Sequence, residues 1–173
     1  MGALEYGLHP DRVISRKIKK TIGIVIWLYF KKSELASFSL SGTGPPHTGE
    51  PLVEHNKAHK KTYYQTFVPI AFAEQDVRHG QSYECEELIH PLATQDHGVY
   101  VYVMSTEEKI DRNTPLVYMD GALCDRPLLY GGDFEKGKPK RLTVRIQFQL
   151  ADVLVWAGAV GSKEEQRVYP VNM

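Results

Sequence analysis

The chain has 173 residues, of which 42% are hydrophobic, and its 21 basic side chains are matched by 21 acidic ones. That length and apolar content suit one domain with one core, and the balanced charge exerts no overall pull on nucleic acid or anionic lipid. No run of about 18 apolar residues is present to span a bilayer as a helix, and Met1–Pro10 lacks the basic-then-apolar order of a secretory signal.

Without such a signal, Cys85 and Cys124 read as reduced thiols of a cytoplasmic protein. Residues 2–9 have room for about two helical turns, which Pro10 closes. A helix that short is unstable by itself, so it reads as the last turns of a longer element before it. Asp11–Lys20 carries Arg12, Arg16, Lys17, Lys19 and Lys20. No aromatic residues are interleaved there for base stacking, so it reads as a solvated linker and not as a nucleic-acid arm.

The run Ile22–Phe30 is uncharged and rich in β-branched and aromatic residues. At ~1.5 Å per residue, a helix of this length falls far short of a ~30 Å bilayer core. A buried strand fits it better. Lys31–Lys61, rich in Ser, Gly and Pro, reads as a surface loop, mobile in its middle, with either a short strand at Glu34–Leu40 or an insertion. His55 and His59 stand four apart, a spacing that holds a metal only on a helix; no helix is predicted and no Cys or carboxylate partners accompany them, so no metal site is expected.

Further strands follow. Thr62–Phe72 is aromatic and β-branched, and Pro69 within it predicts an edge strand or an extended segment. Ser82–His90 lies between the His79-Gly80 turn and Pro91. Val99–Met104 alternates valine with Tyr100, Tyr102 and Met104. Thr106–Lys140 is turn-rich, with Asp120-Gly121 and Gly131-Gly132, and Lys136–Arg141 is a basic cluster without a Walker-type pattern. Leu142–Gln149 alternates without error, and a break at Ala151-Asp152 separates it from Val153–Ala157, which predicts a hairpin. Gln166–Val171 is a candidate last strand. The spacing of turn signals and the lack of helical periodicity predict an all-β, antiparallel sandwich.

The order of these pieces resembles the C-terminal part of a divergent heat shock protein 70 (DnaK-type) chaperone, closest to the 12A-like members. Gly2–Pro10 resembles the last helix of the ATPase domain in that group. Arg16 with Thr21-Ile22-Gly23-Ile24 resembles the lead into its first β-strand. Val77-Arg78-His79-Gly80-Gln81 is similar to its Val-x-x-Gly-Gln turn, Val99–Glu108 to a strand running into Tyr-Ser-Ser-Glu, and Leu142–Ala157 to the last hairpin before the helical lid. Lys31–Lys61 and Asp111–Lys140 are poorly matched.

The resemblance implies residues 1–10 as a remnant of the ATPase-domain helix, 11–20 as linker and 21–173 as a peptide-binding-like β-domain. It implies a cradle for an extended apolar peptide, with Ile24, Trp27, Ile89, Leu92, Val99, Val101 and Leu142 at pocket-lining positions; the competing reading of each is ordinary core. The chain departs from the family in having no ATPase machinery, so no cofactor is expected and ATP would need the absent domain. No helical lid follows the last hairpin, whose usual Asn-Gly or Asp-Gly turn is Ala151-Asp152, and the 31–61 stretch falls near the loops of the cradle.

The function expected is therefore a non-enzymatic, chaperone-like module for unfolded or extended protein segments, with neither nucleic acid nor membrane as partner. The alternative is a truncated remnant acting as a self-associating structural or interaction domain. No enzyme is expected: Cys85 stands between Glu84 and Glu86, which disfavour a thiolate, and Asp111, Asp120, Asp125 and Asp133 are scattered through turns.

Overall fold

The computed structural model describes residues 15–38, 52–57, 60–89, 99–119, 123–130, 140–149, 152–160 and 166–172. Every strand pairing among them is antiparallel. The strands are β1 (Arg16–Lys17), β2 (Thr21–Tyr29), β3 (Val53–Asn56), β4 (Lys61–Ala71), β5 (Asp76–Val77) and β6 (Ser82–Ile89). They continue with β7 (Val99–Thr106), β8 (Thr114–Pro115), β9 (Leu123–Tyr130), β10 (Lys140–Phe148), β11 (Asp152–Ala159) and β12 (Gln166–Asn172). A six-stranded sheet runs β3-β4-β2-β7-β9 with β8 added on β4, a four-stranded sheet runs β12-β11-β10-β6, and β1 pairs with β5.

β2 is apolar from Ile22 onward, and from Ile22 to Trp27 both of its faces are covered. Ile22, Ile24 and Ile26 join Val68, Ile70 and Val103 from their own sheet in one core with residues of the other sheet. From that sheet come Leu142, Val144, Ile146 and Phe148 of β10, and Val153, Val155 and Ala157 of β11. The error-free alternation of β10 has the same origin: Leu142, Val144, Ile146 and Phe148 are sealed in this core and Arg141, Thr143, Arg145 and Gln147 are not. Each such aliphatic side chain contributes about 1.5–3 kcal/mol by leaving water.

The other face of β2 has its own cover. Val25 packs with Phe67, Tyr102 and Met104, and Leu116 and Met119 close over them from the 3-10 turn at Leu116–Tyr118 and the residue after it. Trp27 packs with Tyr63 in a separate cluster. A strand covered on both faces cannot alternate polar with apolar, which is why its sequence reads as one continuous run.

Several expectations need correction. β4 is not an edge strand, since it lies between β2 and β3. Pro69 is accommodated where the β2–β4 register slips between Ile22 and Gly23, a bulge at which a missing N–H costs little. Glu34–Phe38, the described part of the Glu34–Leu40 stretch, holds no strand; instead Lys32–Leu35 forms a one-turn helix, α1. β3 lies inside the stretch read as loop, and β9 inside the stretch read as turns. His55 is on strand β3, where its Nδ1 lies 3.1 Å from Thr62 Oγ1, not on a helix. His59 and residues 2–10 lie outside the described residues.

The stretch read as linker is partly built into the fold. Arg16 and Lys17 pair with Val77 and Asp76, and Ile18 is 2% exposed within the core. The predicted turn before β6 is present: Gln81 N donates to Arg78 O at 3.0 Å, and Gly80 takes φ +77°. Gly80 N then donates to Phe148 O at 2.7 Å, which ties the turn to the end of β10. The β10–β11 hairpin forms in the expected place, from Leu142 opposite Ala159 to Phe148 opposite Val153.

Candidate functional site

β2 delivers Phe30 to the end of the six-stranded sheet, and α1 turns the chain back over it. The turn is held locally. Lys31 N donates to Glu34 Oε2 at 2.6 Å, Ser37 N to Glu34 O at 3.1 Å and Phe38 N to Leu35 O at 3.1 Å. Phe38 is thereby set edge-on to Phe30, with centroids 6.0 Å apart and planes at 87°. Phe30 also meets Tyr64 of β4 at 6.2 Å and 83°, and Phe38 stacks on Tyr118 at 5.4 Å and 21°. Edge-to-face and offset-stacked pairs are the arrangements that aromatic quadrupoles favour.

Arg112 completes the corner. Its guanidinium carbon lies 4.3 Å from the centroid of the Phe38 ring. Its Nη1 donates to Ser37 Oγ at 3.2 Å and its Nη2 to Ser37 O at 3.1 Å. Phe30, Glu34, Ser37, Phe38, Arg112 and Asn113 line a cleft of about 450 Å³. The two rings are half-buried, while Glu34, Ser37 and Arg112 are exposed on its rim. The cleft therefore offers an apolar wall beside polar groups, the composition of a binding site.

Asn113 links this cleft to the other sheet through a hydrogen bond to Glu87 of β6. Burial pushes the Glu87 carboxyl above the ordinary carboxylate range, and the Asn113 hydrogen bond and the Arg141 charge hold it down only in part. Two residues earlier, burial pushes the Cys85 thiol up to about 12, and Glu87 adds to the shift. Such a thiol stays protonated and is a poor nucleophile.

A second, more polar hollow of about 760 Å³ lies by the Gly80 turn, lined by Ser15, Asp76, Arg78, His79, Gly80 and Gln81. Among the described residues no three His, Cys, Asp or Glu side chains are grouped to hold a metal. No helix there is long and apolar enough to cross a membrane.

Comparison of the chain with protein-family models, with curated proteins and with solved structures finds no match.

The positions that the chaperone resemblance assigns to a peptide pocket are distributed differently from this cleft. Ile24 and Leu142 are 0% exposed, both in the core between the sheets. Trp27, three residues from Ile24 on the same strand, takes the opposite face and packs on Tyr63. Ile24 and Trp27 are therefore not brought to one opening. Ile89 is placed on β6 opposite Lys140, and Val99 and Val101 on β7 opposite Tyr130 and Leu128. Leu92 lies outside the described residues. The residues of the cleft itself are Phe30, which the sequence assigns to a strand, and Phe38, Arg112 and Asn113, for which nothing local signals a role. Ser37 and Arg112 are 75 residues apart in the chain, so only the fold joins them.

Proposed function

We propose that this chain is a non-enzymatic binding module for extended apolar segments of other proteins. The observation that carries the reading is the cleft at Phe30 and Phe38, with Arg112 and Asn113 on its rim. An extended segment would set one apolar side chain against the two rings and leave its backbone to the polar rim. The resemblance to the substrate-binding β-domain of DnaK-type chaperones supports the same reading. That domain is a sandwich of antiparallel strands with its binding loops at one end, and the two antiparallel sheets that share one core here are compatible with such an arrangement.

The test is anisotropy of a labelled seven-residue leucine-rich peptide titrated with the chain, with gel filtration beside it. Saturable binding by a monodisperse protein, weakened by Phe38→Ala, is expected. A folded, monodisperse protein that leaves the anisotropy flat sinks the reading.

A second reading is a self-associating interaction domain. It is favoured by Val53, 42% exposed on β3, which has β4 on one side and no partner on the other among the described residues. Elution volume that shifts with concentration, and stops shifting in Val53→Lys, would favour it. β6 makes a poorer association edge, because Glu84 and Glu86 are exposed along it and would face like charges in an antiparallel copy.

A further inference from the structure

We infer that the segment preferred by the aromatic cleft is proline-rich and enters it in the polyproline II conformation. This rests on the reading of the cleft as a binding site and names its ligand class. The first observation is the shape of the wall. Phe30 and Phe38 meet at 87° and form a right-angled corner, flanked by Tyr64 on one side and Tyr118 on the other. A pyrrolidine ring is compact and rigid, and aromatic-lined grooves are the surfaces on which polyproline II segments dock.

The second observation is the hydrogen-bond inventory of the rim. Arg112 has five N–H groups and can only donate. Two of its nitrogens are engaged with Ser37, which leaves further N–H groups for a ligand. The Ser37 hydroxyl already donates to Glu34 O at 2.7 Å, and one oxygen of the Glu34 carboxylate is taken by the Lys31 amide. Asn113 bonds Glu87. The rim thus keeps several Arg112 N–H groups to meet ligand carbonyls, beside two acceptors, the second Glu34 oxygen and the Asn113 amide oxygen. An ordinary extended peptide presents N–H and C=O groups in equal number. A proline-rich one presents carbonyls, has few N–H groups to leave unpaired, and makes no internal hydrogen bonds. Its conformation is also set before binding, which lowers the entropy lost on docking.

The experiment compares three labelled seven-residue peptides on the full chain: one with prolines at four positions, the same peptide with those prolines replaced by alanine, and the leucine-rich peptide. The proline peptide is expected to bind about tenfold more tightly than its alanine counterpart. Arg112→Lys, which keeps the charge but loses the planar fork, should erase most of that preference. Amide spectra of the wild-type chain, which need no variant to fold, should shift within residues 30–38 and 112–118 on adding the proline peptide. Equal binding of the proline and alanine peptides, or shifts confined to other strands, overturns the inference. If the leucine-rich peptide alone binds at the cleft, the ligand class falls and the proposed function stands. If no peptide binds, both fall.

Discussion

Arg112 lies over the ring of Phe38 at 4.3 Å and donates both of its terminal nitrogens to Ser37, the residue before that ring. One side chain therefore clamps two segments 75 residues apart, and no strand pairing among the described residues joins those two segments. An exposed cation over an aromatic ring contributes ~0.5–1 kcal/mol, and hydrogen bonds from a charged donor add to it. Arg112→Gln should lower the urea midpoint by the equivalent of ~1 kcal/mol and expose residues 31–38 to limited proteolysis. An unchanged cleavage pattern would show that α1 is held by other contacts.

Gly23 and Gly80 are both required, for different reasons. A Cβ at Gly23 would fall 2.7 Å from Phe67 Cε2 and overlap the carbonyl oxygen of Val68. Gly23→Ala should then cost about 1–3 kcal/mol by overpacking, with the near-ultraviolet aromatic signal altered. At Gly80 nothing lies within 4 Å of a Cβ, but φ is +77°. Gly80→Ala should cost ~1–2 kcal/mol from backbone strain alone, and Gly80→Asn less, because Asn tolerates left-handed geometry. Thermal melts of the three variants check the order.

Leu142 separates a pocket from a core. It is 0% exposed among Val144, Ile146 and the isoleucines of β2. Leu142→Ala should destabilise by ~2–5 kcal/mol through the cavity it leaves. Phe38→Ala, on a half-buried ring, should cost less stability and more peptide affinity. Chemical denaturation and anisotropy on the same preparations give the comparison; affinity lost in Leu142→Ala with full stability retained would return the binding site to the strands.

Glu87 makes stability depend on pH in a stated direction. Its folded pKa is raised, chiefly by burial, so the folded chain takes up the proton before the unfolded chain does. The carboxylate therefore opposes folding above the raised folded pKa. That penalty is relieved as pH falls through the folded value toward the unfolded one. Glu87→Gln, which can still accept from Asn113, should be at least as stable as the wild type at neutral pH. Its advantage should shrink in mildly acidic solution. Urea midpoints across that range test it, and an advantage that grows on acidification would reverse the assignment.

Cys85, with its thiol pushed to about 12, should resist alkylation. Iodoacetamide at mildly alkaline pH should label the Cys85 peptide slowly in the folded chain and rapidly in urea, read by mass spectrometry. Equal rates would mean that the thiol is neither buried nor held protonated.

The elements legible in the sequence are those whose pattern comes from one or two uniform environments. β10 alternates because one face is sealed and the other is not, and β2 is continuously apolar because two separate cores cover it. β3 and β9 escaped because Val-Glu-His-Asn is short and mixed and Leu-Cys-Asp-Arg-Pro-Leu-Leu-Tyr carries a proline; each is a strand through its pairing with β4 or β7. Pro69 misdirected the reading of β4, because a bulge beside Gly23 is a property of two strands and not of one.

By itself the sequence determined an all-β chain built around β2, the turn at Gly80 and the hairpin of β10 with β11, since local periodicity and turn chemistry encode these directly. The partition of apolar residues between core and cleft was decided only by tertiary structure. Ile24 and Phe30 are alike in composition and belong to the same run, but one lies between two sheets and the other just past the end of its strand. The corner formed by Phe30, Phe38 and Arg112 likewise depends on contacts between segments far apart in the chain, which local sequence cannot carry.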